Sequence, residues 1–235
     1  MGTADKLCAV ALGVYDQARH LGIAYHETAF IYVELGGAFT ALVAVDGGRV
    51  VDGMGGTSGP PGYLSLGAMD GELAYLLGGF PFPKDVLCSG GVAFVAGEPE
   101  APPEELIERV GFDERCALAW DAFTESLVKS VAAMLTVAPS PREILLSGRL
   151  CRVPEIRRLV ERALGRFAPL RRVERLAGVS VAKEAAQGAA LIAEGLAGGR
   201  HAPLVEAMRL RQAAGSVLDH LYVSGAEELR RGFRG

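Results

Sequence analysis

The chain has 235 residues, half of them hydrophobic, with a formal net charge of -4. That balance excludes a disordered chain, and Lys and Arg spread along the sequence argue against a nucleic-acid groove, which needs a concentrated basic face. A chain of this size buries roughly 70% of its unfolded surface, so a core forms without disulfide or metal staples.

In chain order, Leu7, Val10, Ala11, Val14, Tyr15, Ala18 and Leu21 form an apolar stripe that predicts a helix over 5–21, starting with no leader before it. Ala29–Glu34 (AFIYVE) reads as a strand, Gly36-Gly37 interrupts it, and Ala38–Val45 (AFTALVAV) reads as a second. Asp46-Gly47-Gly48 supplies residues that tolerate positive φ, so it predicts a hairpin turn into a third strand over 49–53. A loop rich in Gly, Ser and Pro (53–62) then leads to a helix near 70–77. Residues 86–95 are apolar around Gly90-Gly91 and read as a strand edge. Pro102-Pro103 opens a helix over 104–110. A long helix is expected over 113–137, with Leu118, Phe123, Leu127, Val131 and Leu135 on one side and Pro139 and Pro141 ending it. Ile144-Leu145-Leu146 is a buried strand. A helix over 154–167, a short strand over 171–173 and an Ala-rich helix over 181–196 follow. The final 35 residues read as helices. A meander followed by strand–helix crossovers implies an α/β fold, a mixed sheet with helices on its faces.

Three segments carry candidate chemistry. In Glu34-Leu35-Gly36-Gly37-Ala38-Phe39-Thr40 a carboxylate ends a strand and two glycines let backbone N–H groups approach phosphate oxygens. Such a carboxylate can hold Mg²⁺ through water or orient an attacking group; a glycine-kinked hairpin is the structural alternative. Ile144-Leu145-Leu146-Ser147-Gly148-Arg149 is an apolar strand ending in Ser-Gly, where open α/β sheets bind ligands. Ala185-Ala186-Gln187-Gly188-Ala189-Ala190 carries small residues that admit a close neighbour, either a nucleotide or another backbone.

The order of these segments resembles the second half of the acetate and sugar kinase, heat-shock chaperone and actin superfamily. Glu34–Thr40 stands where its second phosphate motif stands, Ile144–Arg149 where its adenosine motif stands, and Ala185–Ala190 where its second connecting helix stands. Gly2–Leu7, Val51–Gly59 and Gly67–Leu73 are similar to the predicted butyrate kinases of archaeal type. The resemblance implies a ribonuclease H-like, actin-like ATPase lobe over 29–200, a connecting helix over 1–28 and a helical tail over 201–235. It implies ATP and Mg²⁺, with Glu34, Asp70 and Glu72 as catalytic carboxylates and Glu34 as the metal ligand. Gly36, Gly37, Ala38, Gly55, Gly56, Thr57, Ser58, Ser147, Gly148, Arg149, Gln187 and Gly188 would then line the nucleotide. Two departures stand out. The superfamily motif has Asp where this chain has Glu34. The Asp-x-Gly-Thr lobe that begins the family is expected to lie outside this chain, because Gly2-Thr3 leads into a helix rather than from a strand.

The function so implied is phosphoryl transfer from ATP to a small carboxylate. A non-catalytic actin-like nucleotide-binding or assembly module, or a structural fragment, is the alternative. Expected partners are a nucleotide, the carboxylate, and a second copy or the first lobe, with neither nucleic acid nor membrane. Cys8, Cys88, Cys116 and Cys151 form no C-x-x-C pair, and no apolar run approaches the ~20 residues of a spanning helix, so a soluble cytoplasmic protein is expected. Asp5 and Lys6 read as exposed helix-start charges, the alternative implied by the resemblance being that they reach the interlobe cleft, and Asp70 reads also as a helix N-terminal charge. The arginines between Arg149 and Arg175 read as a solvated helix face and its exit. His20, His26, His201 and His220 read as surface or packing residues.

Overall fold

A computed structural model describes residues 4–78 and 84–233; Gly2 and Thr3 of the N-terminal segment, and Gly79, lie outside the described residues. Helix α1 (Ala4–Leu21) leads to the meander β1 (Phe30–Leu35), β2 (Thr40–Asp46) and β3 (Arg49–Met54). An excursion carries α2 (Gly71–Leu77), α3 (Val92–Ala96) and α4 (Pro103–Glu108). The long helix α5 (Glu114–Met134) precedes β4 (Glu143–Ser147), α6 (Pro154–Leu164), β5 (Leu170–Arg172) and α7 (Glu184–Leu196). The tail holds α8 (Ala202–Ala207) and α9 (Ala226–Phe233), joined by 3-10 turns.

The strands form one sheet in the order β3-β2-β1-β4-β5. The meander is antiparallel, while β4 lies parallel to β1 and β5 parallel to β4. Gly47 and Gly48 both take positive φ, +57° and +73°, as a two-residue hairpin turn requires. Period-two alternation then splits β1 between two cores. Ile31, Val33 and Leu35 face Trp120, Phe123 and Leu127 of α5, together with α3, α4 and α6. Phe30 and Tyr32 face α1, α7 and α8 through Val10, Val14, Leu191 and Leu204. Truncating a side chain as buried as Phe123 costs about 3–5 kcal/mol.

Local chemistry sets the helix starts. Asp113 accepts from the N–H groups of Arg115 and Cys116 at the head of α5, and Pro103 and Pro154 occupy first turns, where no N–H is needed.

The fold corrects three expectations. Residues 86–95 are not a strand edge: a 3-10 turn covers Lys84–Cys88, α3 follows, and one bridge, Ser65 to Gly90, touches the run. The reason is that the N–H groups of Gly91, Val92 and Ala93 bond to Leu64, Gly62 and Tyr63 of the preceding loop. Leu118 is exposed, because the buried stripe of α5 runs through Cys116, Trp120, Phe123, Leu127 and Val131 and passes beside it. Arg171 is not solvated; it bridges two buried carboxylates.

Candidate functional site

Because β1 and β4 are parallel neighbours, their carboxyl ends meet at one edge. Glu34 pairs with Ser147 across the ladder and with Ala41 on the other side. The Gly36 N–H closes the hairpin onto the Phe39 carbonyl at 3.0 Å. Gly148 takes φ +92°, and a Cβ there would sit 2.3 Å from the Leu35 carbonyl oxygen. Only glycine fits that backbone and that approach, so the turn after β4 lies directly on the end of β1. Gly37 faces the Arg149 side chain, and both open into a cleft of about 310 Å³ walled by Tyr63, Leu64 and the segment 99–103.

The glycine loop joins the same edge. A Cβ on Gly56 would collide with the Phe39 ring, 2.6 Å away. The Ala38 carbonyl accepts from the N–H groups of Leu64 and Ser65. Ser58 and Gly55 close a tight turn through two hydrogen bonds of 3.1 Å, and Thr57 is exposed beside it. The structure thus brings Glu34, Gly36, Gly37, Ala38, Gly55, Gly56, Thr57, Ser58, Ser147, Gly148 and Arg149 to one region.

The other candidates make structural contacts of their own. Asp70 caps α2 by accepting from the N–H groups of Glu72 and Leu73, and Glu72 is exposed in the first turn. Among the described residues no hydrogen bond or ion pair links either to Glu34. Gln187 is held by structural bonds, accepting from Leu176 N–H and donating to the Ala182 carbonyl. A Cβ on Gly188 would come 1.7 Å from the Cys8 carbonyl oxygen, so α7 touches α1 backbone to backbone there.

Lys6 departs from the expectation of an exposed charge. Its ammonium lies 2.8 Å from Glu34 and 2.7 Å from Asp5, with its side chain 20% exposed. Burial pulls the Lys6 pKa down, but the hydrogen bonds to Asp5 and Glu34 outweigh it and hold the ammonium above its ordinary value. Next along this face lie two buried hydroxyls, Tyr32 and Ser147, with no hydrogen-bond partner of good geometry. Burial pushes the Tyr32 phenol far above its usual range, so it stays protonated.

Mg²⁺ demands few protein ligands when phosphates supply the rest. Glu34, on an accessible edge beside exposed glycine backbone, fits the role of a single carboxylate ligand. Among the described residues no group of three or more His, Cys, Asp or Glu comes together, so such an ion would be held mainly by phosphate oxygens.

A second polar network sits at the opposite, amino end of the same strands. Arg171 pairs with Asp16 at 2.8 Å and Glu143 at 3.0 Å, while Gln17 donates to Glu143 and bonds the Ala29 backbone. Burial raises Asp16 despite its arginine partner. Burial also pushes Glu143 upward, but the bonds from Arg171 and Gln17 outweigh it and hold that carboxyl below the usual range.

The sheet order, the hairpin and the strand-end glycine turn define the ribonuclease H-like, actin-type ATPase fold. Solved structures share it. Acetate kinase from Entamoeba histolytica matches with a TM-score of 0.57 and 15% identity, over 67% of this chain and 44% of its own. Porphyromonas gingivalis acetate kinase matches at 0.57 and 17%, over 68% and 42%. A propionate kinase from Francisella tularensis matches at 0.56 and 16%, over 68% and 43%. This chain therefore spans less than half the length of those kinases. By sequence it belongs to the family described as protein of unknown function (DUF1464), whose model matches residues 1–223. No curated protein matches it. Among the described residues no helix is long and apolar enough to cross a membrane.

Proposed function

We propose that this chain is the nucleotide-binding lobe of an ATP-dependent phosphotransferase acting on a small carboxylate, in the manner of a butyrate kinase. The observation that carries the reading is the meeting of the Gly36–Phe39 hairpin and the Ser147-Gly148 turn at one sheet edge. On this reading residues 29–200 are the lobe, 1–28 the connecting helix and 201–235 the tail.

The hairpin and the glycine loop offer backbone N–H groups to phosphate oxygens, and Arg149 with the 99–103 wall bounds the nucleoside. Mg²⁺, when bound, neutralises charge on the transferring phosphoryl group. Glu34 would be its carboxylate ligand, and Lys6, 2.8 Å away, holds Glu34 in place. A carboxylate oxygen of the substrate attacks the γ-phosphorus; the new O–P bond forms as the bond to the β-phosphate oxygen breaks, leaving ADP and an acyl phosphate. Asp70 and Glu72 are secondary candidates for orienting the attacking group.

Calorimetric titration of MgATP and MgADP into the chain, followed by hydroxylamine trapping of acyl phosphate from butyrate, tests the proposal. Saturable binding with trapped product is expected. Failure to bind at millimolar nucleotide would sink it, and binding without acyl phosphate would favour the actin-like binding or assembly module.

A further inference from the structure

Helices α1 and α7 cover only part of their face of the sheet. Beyond the first turn of α1, the outer strands β2 and β3 leave a groove of about 450 Å³ with mainly apolar walls, lined by Leu7, Ala41, Val43, Val50 and Val51, with Asp52 in the lining and Lys6 at its mouth. The volume falls in the range of small-ligand pockets, about 300–1,000 Å³. Its floor exists because Gly53, which pairs with Val43, has no side chain to fill it. The groove adjoins the proposed phosphate edge directly, since the Lys6 that borders it contacts Glu34.

We infer that this groove takes the hydrocarbon chain of an aliphatic carboxylate longer than acetate, with its carboxylate at Lys6. The choice of head group rests on the phosphotransferase reading. The charge at the mouth agrees with it: a lysine ammonium has three donors, and Asp5 and Glu34 take two. Because two carboxylates already sit on Lys6, a third is attracted only weakly. The chain must therefore supply most of the affinity. Strand geometry sets the reach. Ala41 and Val43 point the same way two residues apart, about 7 Å along the strand, which holds several methylenes and leaves acetate with little to touch.

The test is binding of sodium acetate, butyrate and hexanoate to the full chain by ligand-observed NMR, with MgADP binding measured in parallel. Each buried methylene is worth about a fourfold gain, so butyrate, with two more than acetate, should bind about fifteenfold tighter, and hexanoate tighter again. Gly53→Val should erase the gradient, because a Cβ there meets nothing nearer than 3.4 Å and takes up space in the groove; a melting curve like the parent's checks that the variant folds. Lys6→Met should weaken every member alike. Equal affinities across the series, or a Gly53→Val gradient like the parent's, would overturn the groove assignment. A rising series without nucleotide binding would overturn the phosphotransferase reading and leave the groove standing. Nucleotide binding with a flat series would do the reverse.

Discussion

The two ends of the β1–β4 pair solve opposite problems with similar residues. At the amino end the carboxylates of Asp16 and Glu143 and the amide of Gln17 are buried, and the partly exposed Arg171 covers the two carboxylates. At the carboxyl end Lys6 and Glu34 form a pair about one fifth exposed, beside glycine turns, and the buried Tyr32 and Ser147 hydroxyls lie near each other without a partner of good geometry. A satisfied buried network fixes a structure; a half-satisfied one at an open edge is costly unless something else completes it. One sheet therefore carries a lock at one end and a receptive site at the other.

The comparison breaks most decisively at the lock. Arg171→Met strands Asp16 and Glu143 and should cost about 3–5 kcal/mol in urea unfolding. The same network governs acid behaviour. The Glu143 pKa is lowered by folding, so its contribution is present above the unfolded carboxylate value of about 4.3 and is lost as pH falls through the folded value. Asp16, raised by burial, works in the opposite sense and softens that loss. Melting temperature followed from pH 6 to 3 should show an acid decline that is shallower in Arg171→Met.

At the receptive end the largest effect should fall on chemistry. Glu34→Gln should lower acyl phosphate formation about a hundredfold, equivalent to about 2.7 kcal/mol, while leaving stability within about 1 kcal/mol, because the Lys6 pair is partly solvated. An unchanged rate would remove Glu34 from the mechanism. Next, Gly148→Ala forces a side chain into a left-handed backbone against the Leu35 carbonyl; a loss of about 1–3 kcal/mol is expected by thermal unfolding, with weakened nucleotide binding.

The smallest effect belongs to Lys6. Its raised pKa means its stabilisation is complete below the unfolded value of about 10.4 and disappears as pH rises through the folded value. Lys6→Gln should thus lower stability by under about 1 kcal/mol at neutral pH, and the difference from the parent should shrink in strong alkali, as circular-dichroism melts would show.

What could be read from the sequence was local. The meander was legible because alternation and Asp46-Gly47-Gly48 act within a few residues, and the Ser147-Gly148 turn because a glycine after an apolar strand implies a special backbone. The ion pairs were not legible: Lys6 meets Glu34 across 28 positions and Asp16 meets Arg171 across 155. No periodicity encodes that distance. One signal was available: Gln17 lies three residues after Val14 and seven after Val10, on the apolar stripe of α1, where a polar side chain needs a buried partner. The exposed reading of Lys6 failed because a charged residue in a first helical turn is usually solvated, and only the sheet edge beneath α1 makes this one different. Asp70 capping α2 was anticipated as a helix-start charge. Whether it also reaches substrate is decided by tertiary geometry rather than by its neighbours in sequence.

The Gly188 contact has a mechanical consequence. Where Gly188 of α7 meets the Cys8 carbonyl the two helices touch backbone to backbone, and a Cβ at 188 would also come within 3.2 Å of the Leu12 nitrogen. A side chain there would have to push α1 away from α7, so this one glycine sets how closely the helix that carries both Lys6 and Asp16 lies on its neighbour.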